Sequence, residues 1–542
     1  MKNYRRTLFA AALIMLNLLS AFKLSGQVTD KLPRSTPESE GVSSSGIIEF
    51  LNAVDTAGRV ELHSFMFLRH GKVIAEGWWK PYGPDYKHLL YSASKTFTAT
   101  GIGLAVSEKR LKVTDKVISF FPYSLPDTIS DYMKELTVQN LLTMSVGQDP
   151  EPRSMGNTGD WINSFLSAKP VHKPGTVFMY NNMATFMLSA VVQQVAGQTL
   201  FEYLQPRIFK PLGINGIDWD LNPQGINLGM IGLRLHTENL AKFGQLLLQQ
   251  GVWNGKQLIP KEWVKEATSF KIESKGGSDR IPKETNDWTQ GYCYQMWRGR
   301  NNTVRLDGMA GQFVVLIPDK DAIVVFTANA RDTQDELNLM HNYLIPAIKS
   351  DAALKPDQNT YNELLKRQSG LNLKPPVSGL SMAEFEKKIS GKEFILDGND
   401  YQIQSVYFGF SDEGCSFALK RNNQISVSRA GSGDWRITRS SSASLLAPPR
   451  GTSSKSIDAN YLATQTSTIA ALSYIWTDKS TLELTARFVE ESLGSQAVEC
   501  RFSELNGVVR VTLGSRTSLG RPGPGTGAPQ QVQLRGTMVE IR

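Results

Sequence analysis

Ser92 and Lys95 stand three residues apart in Leu89-Leu90-Tyr91-Ser92-Ala93-Ser94-Lys95-Thr96-Phe97, a stretch that reads as the mouth of a helix. Residues at that spacing share one helix face, which sets the lysine amine beside the serine hydroxyl. A serine needs an adjacent base to become a nucleophile, and a lysine serves as one when burial or nearby cations lower its pKa. The tetrad alone is a weak signal, since about two are expected by chance in a chain of this length and ordinary composition. A second one, Ser20 to Lys23, lies near the N-terminus.

Two further groups supply the specificity. Tyr180-Asn181-Asn182 is the only Tyr-x-Asn in the chain. The Tyr180 phenol can shuttle protons between serine, lysine and a leaving group, and the Asn182 amide can hold both the lysine and a substrate carbonyl. Asp307-Gly308-Met309-Ala310-Gly311-Gln312 leads into a strand expected from Phe313. Glycines there let a substrate lie against a strand edge, where a backbone N–H can join that of Ser92 in an oxyanion hole. Ser92, Lys95 and Tyr180 are thus the candidate catalytic residues. Asn182, Asp307, Gly308 and Gln312 are the candidate substrate-binding residues.

The elements that must position these groups follow from residue patterns. A short helix is expected over about Gly46 to Val54. Ser64–Leu68 and Val73–Trp79 flank the turn His70-Gly71-Lys72 and read as a hairpin. From Thr96 to about Gln250 the apolar spacing is mostly helical, with Gly197 and Gly251 as stops. Strands return at Gly291–Trp297, Gln312–Ile317 and Ala322–Thr327, and a helix near Glu336–Ile348 closes the segment. Strands at both ends with helices between them describe an α+β domain built on an antiparallel sheet. Residues 350–380, rich in Pro, Asn, Gln and Lys, read as a linker. Strand-like runs at Gln402–Phe410, Leu482–Val489, Val498–Phe502 and Val508–Leu513 then predict a smaller all-β module over 381–542.

Composition bounds the rest. Lys2, Arg5 and Arg6 precede an apolar run from Leu8 to Phe22, followed by Ser25 and Gly26. That order is a secretory signal peptide over residues 1–26, and it places the protein in the periplasm or outside the cell. The competing reading, an uncleaved membrane anchor, needs a longer apolar run. Its removal lowers the formal charge from +8 to +4, and no Lys/Arg block remains to bind nucleic acid. The six histidines are scattered without ligand spacing, so neither a metal nor a cofactor is implied. Cys415 and Cys500 either pair or stay as separate buried thiols. Gly251-Val252-Trp253-Asn254-Gly255-Lys256 is one residue short of a phosphate loop, and no Gly-x-Ser-x-Gly elbow exists.

Taken together, the three motifs resemble the serine β-lactamase and penicillin-binding-protein superfamily, in its class C-related serine hydrolase branch. The resemblance spans about residues 35–348, within a domain drawn at 27–349. It also rests on Gly71–Gly77, Leu136–Thr143 and Ala241–Leu246 leading into Gly251–Lys256. It implies that Ser92 is acylated, Lys95 takes its proton, Tyr180 is the general acid/base and Asn182 a hydrogen-bonding amide. The family's third motif begins with a basic residue. Here the matching positions read Leu306-Asp307-Gly308, so that cation is missing, and Asp307 is expected to repel a substrate carboxylate. Arg305 should point to the opposite face from Leu306. The resemblance therefore implies a small-molecule amide, ester or peptide substrate rather than an efficiently hydrolysed β-lactam. Two alternatives stay open: a β-lactamase or cell-wall D-Ala-D-Ala peptidase on the same site, and a non-catalytic wall-binding or sensor protein whose C-terminal module contacts wall polymer.

Overall fold

Three segments, Leu62–Arg69, Gln312–Ile317 and Ala322–Ala328, are buried at every position. Strands with no polar face must be covered on both sides, and these form the middle of a six-stranded antiparallel sheet. Its order is Lys72–Trp78, Leu62–Arg69, Ala322–Ala328, Gln312–Ile317, Val304–Gly308 and Trp297–Arg298. The computed structural model describes residues 31–152, 159–276, 281–377, 380–440, 445–446, 455–457, 468–491, 494–518 and 533–539. The signal-peptide assignment lies outside them.

The register explains the covering layers. Phe65 pairs with Phe326, and Phe50 of the Ser44–Thr56 helix packs on both rings at 5.5 and 5.9 Å. On the other face, Gly244 of the Thr237–Leu248 helix meets Val314 and Ile323; a Cβ there would lie 2.7 Å from the Val314 methyl. Glycine lets that helix sit close against the sheet. The expected strand Gly291–Trp297 is a correction: Trp297–Arg298 is the strand there, and Tyr292 makes isolated bridges to Ile272 and Trp297. Gly291 (φ 107°) and Gln295 (φ 59°) turn the chain out of extended geometry.

Between the sheet's two halves lies the helical region. The Ser94–Ser107 helix is buried on every face, packed against the Asn182–Ala196 helix, with Phe97 stacked on Phe243 at 3.9 Å. Gly197 ends the second helix in the left-handed conformation, φ 69°. Residues 350–380 contain a helix, Gln358–Ser369, and Leu364 and Leu371 bury into the main core. This connection is anchored rather than free. The Val252–Trp253 and Lys256–Gln257 strands form a hairpin closed by Asn254-Gly255.

The C-terminal module is a nine-stranded barrel among the described residues. Neighbours run antiparallel from Gln424–Ser432 through Gly414–Arg421, Ile403–Ser411, Glu393–Leu396, Gln533–Val539, Val508–Ser518, Ser495–Leu505 and Thr481–Phe488 to Thr468–Trp476. An odd number of alternating strands forces the closing pair to be parallel, and Gly431 and Ser432 do pair in parallel with Ser473 and Tyr474. Every second residue turns inward, and Phe394, Phe408, Phe417, Trp476 and Phe502 fill the interior. Cys415 and Cys500 are both buried there as free thiols.

Candidate active site

Ser92 lies in a single 3-10 turn, Tyr91–Ala93, that runs straight into the Ser94–Ser107 helix. Tyr91 is left-handed at φ 48°, an uncommon state for a bulky residue and one that concentrates at functional sites. The turn is held from behind. Leu90 N–H donates to Leu233 O at 3.0 Å, and Ser94 Oγ donates to Tyr91 O at 2.7 Å.

Helical spacing places Lys95 where the sequence puts it. Its Nζ is 2.9 Å from Ser92 Oγ, 2.9 Å from Asn182 Oδ1 and 3.0 Å from Met230 O. The side chain is 1% exposed. Burial pushes the amine down to about 7, against the opposing charges of Glu151 and Asp307. A lysine in that state is a neutral base about half the time at neutral pH.

Tyr180 arrives from the loop before the Asn182–Ala196 helix. Its phenol is hydrogen-bonded to Ser92, its ring lies 5.0 Å from Lys95 Nζ, and it stacks on Trp297 at 5.9 Å. Burial raises its pKa, so the resting phenol keeps its proton. Asn181 caps the helix by accepting from Ala184 N–H at 2.8 Å, which fixes Asn182 at the helix start. Glu151 orients the Asn182 amide: it accepts from the backbone N–H and, at 3.0 Å, from Nδ2. That leaves Oδ1 toward Lys95. No motif spacing marks Glu151 in the sequence.

The third motif differs in part from expectation. Arg305 and Asp307 share a face of their strand, while Leu306 turns into the core with no exposure. Arg305 Nε donates to Asp307 Oδ2 at 2.9 Å, and Trp288, 4.6 Å from the guanidinium, also bonds the carboxylate. Asp307 is therefore paired rather than an isolated anion, and Arg305 is committed to it. Burial still lifts the Asp307 carboxyl, opposed by Arg305. Gly308 is required by space, since a Cβ would lie 2.3 Å from Leu90 O. The strand end can thus close against the nucleophile turn.

Gln312 is a correction. Its Nε2 donates to Met309 O and Ala328 O at 3.0 and 2.7 Å, and its Oε1 accepts from Ala328 N–H at 3.1 Å. Its amide is engaged with the 309–312 turn and with both backbone groups of Ala328 on the neighbouring strand, so it serves the backbone there rather than a substrate. Beneath that turn sits a second acid absent from the sequence reading, Glu336, 1% exposed. Burial, reinforced by Asp307, raises it well above the carboxylate range. Gly311 leaves room for it, because a Cβ there would lie 1.8 Å from Glu336 Oε2.

Ser92, Lys95, Tyr180 and Asn182 therefore meet at one point, with Asp307 and Gly308 beside it and Gln312 behind. A hydroxyl, a neutral amine and a protonated phenol in mutual contact can deprotonate a nucleophile and reprotonate a leaving group. Residues 53–345, more than half of the chain, match the family model Beta-lactamase.

The chain belongs to the Beta-lactamase family.

The relatives of this family member include hydrolases of different kinds. It is similar to a 6-aminohexanoate-dimer hydrolase of Paenarthrobacter ureafaciens, 24% identical over 48% of this chain and 71% of that enzyme. It is 30% identical to a beta-lactamase of Pseudomonas fluorescens over 23% of this chain, which spans only 34% of that enzyme. Among solved structures it is similar to a D-stereospecific amidohydrolase from Streptomyces sp., 18% identical with a TM-score of 0.44, over 56% of this chain and 99% of the other.

Proposed function

We propose that the protein is a secreted or periplasmic serine hydrolase that cleaves a linear amide or ester through an acyl-enzyme on Ser92. Neutral Lys95 accepts the Ser92 proton as Oγ adds to the substrate carbonyl. The developing oxyanion is received by backbone N–H groups of Ser92 and Met309. Tyr180 then gives its proton to the departing amine or alcohol and recovers one from Lys95. Water, deprotonated by the same pair, attacks the ester and frees Ser92. The observation that carries this reading is the 2.9 Å approach of a fully buried Lys95 amine to Ser92 Oγ.

Two points favour an amide or ester over a β-lactam. The third motif offers no uncommitted cation for the lactam's carboxylate, because Arg305 is spent on Asp307. One relative, matched over 285 residues, is named a 6-aminohexanoate-dimer hydrolase. A panel of short-chain esters, linear amides, D-amino-acid peptides and a chromogenic cephalosporin, run on wild type and Ser92→Ala, tests it. Ester or amide turnover that disappears in Ser92→Ala is expected. Faster cephalosporin turnover would assign a β-lactamase, and no turnover of any substrate by folded protein would favour the sensor reading.

A further inference from the structure

The strand that delivers Ser92 belongs to a small sheet of its own. His88–Leu89 pairs with Leu233–Leu235, which pairs with Asp218–Asp220. This sheet and the segment leading into its Leu233–Leu235 strand fix the site through two contacts, the Leu233 O bond to Leu90 N–H and the Met230 O bond to Lys95. The barrel domain meets the sheet's far side at two places and the chain leading into the six-stranded sheet at a third. The backbone of Lys455–Ile457 adds a fourth strand beside Asp218–Asp220. Glu491, just beyond the Thr481–Phe488 strand, bonds Arg234 at 2.9 Å, and that guanidinium also holds Asp218 and Asp220 at 2.9 and 3.0 Å. Arg234 and Glu491 are 3% and 7% exposed. Arg487 grips Glu61 with two bonds of 2.8 and 3.0 Å. Glu61 contacts His63 Nε2 at 3.3 Å, and His63 Nδ1 contacts His88 Nε2 at 2.8 Å.

We infer that the barrel is a positioning domain for the nucleophile, with Glu491 and Arg487 as its positioning residues, acting through Arg234 and through Glu61-His63-His88. The inference rests on Ser92 being the nucleophile, as proposed above. The Arg234 cluster is buried, whereas Glu61 is 31% exposed; neutralising Glu491 leaves Arg234 held by Asp218 and Asp220, neutralising Arg487 leaves Glu61 without its arginine, and the chain around each resettles. Here the chain around them is the strand ending two residues before Tyr91. An apolar seam of Tyr82 with Ile469, Ala471 and Val489 seals the contact, and Trp435 Nε1 donates to Leu373 O at 2.6 Å.

The histidine pair supplies a signature that loss of stability alone does not produce. His63 faces Glu61 on its own strand, His88, Tyr82 stacked at 3.7 Å, and the Arg487 charge. Burial holds it down to about 4, helped by Arg487 and opposed by Glu61. Replacing Arg487 by a neutral residue leaves the Glu61 carboxylate unopposed, so His63 takes a proton at higher pH. Labelling of Ser92 should then fall as pH drops through that raised value.

The test uses the full chain as wild type, Glu491→Gln, Arg487→Met and Arg487→Lys. Fluorophosphonate labelling of Ser92 is followed between about pH 5 and 9, alongside hydrogen exchange of peptides covering 87–95 and 230–236. Expected are labelling rates down about tenfold in Glu491→Gln and Arg487→Met, and faster exchange confined to those peptides. The acid limb that Lys95 sets near 7 in every variant should steepen through a second proton in Arg487→Met and keep its wild-type slope in Arg487→Lys, which keeps the charge. Unchanged exchange in both variants would overturn the inference whatever the labelling shows. Failure of wild type to label would instead overturn the assignment of Ser92, with the exchange result still deciding the coupling.

Discussion

A lysine with its amine near pH 7 is an unusual thing to bury, and the consequences are measurable. If neutral Lys95 is the base, kcat/KM rises with pH through about 7, a limb that a pH–rate profile locates directly. The same burial opposes folding. Between about 7 and the ordinary value of 10.5 the folded protein holds less than one proton on Lys95 while the unfolded chain holds one, so stability climbs with pH across that window. Lys95→Met should therefore abolish turnover and raise Tm more at about pH 6 than at about pH 10, as scanning calorimetry will show. Asp307→Asn frees the Arg305 guanidinium and should raise kcat/KM for a carboxylate-bearing amide relative to a neutral one by about tenfold, read from paired substrates. The meeting of Ser92, Lys95, Tyr180 and Asn182 was legible because each motif keeps a fixed local spacing. Glu151, Glu336 and the real duty of Gln312 were not, because each is defined by a partner far away in sequence.

Elements bring those residues together, and glycines set how closely they approach. The strand end at Gly308 touches the nucleophile turn through backbone, and a methyl would meet Leu90 O at 2.3 Å. Gly308→Ala should destabilise by about 1–3 kcal/mol in urea unfolding and depress labelling of Ser92 beyond what the residual folded fraction explains. Helices with caps and apolar spacing, such as Asn182–Ala196 with its Gly197 stop, could be read from the sequence. Gly291–Trp297 misled because its alternating side chains look like a strand. What breaks it is the left-handed Gln295, whose amide donates to Leu141 O and Leu142 O. The Gln358–Ser369 helix was hidden by a polar composition in which Leu364 alone is fully buried.

At the scale of the whole molecule, one α+β domain and one barrel share a boundary behind the nucleophile. The all-β character of residues 381–542 showed in recurring strand runs. Closure into a ring did not, since pairing of Gly431 with Ser473 is a long-range event that no local pattern encodes. The barrel's interior is an aromatic cluster, and Phe502 touches Phe385, Phe394, Phe408 and Trp476. Phe502→Ala should cost about 3–5 kcal/mol, seen as a low-temperature transition in hydrogen exchange of barrel peptides. If the barrel positions the site, Ser92 labelling should be lost in that same transition. The most direct measurement of all is the intact mass of the protein after exposure to a fluorophosphonate, with peptide mapping of the adduct. A single adduct on Ser92, formed faster as pH rises through about 7 and absent from Lys95→Met, is the predicted result. An unmodified, folded wild-type protein, or an adduct that persists in Ser92→Ala, would contradict it.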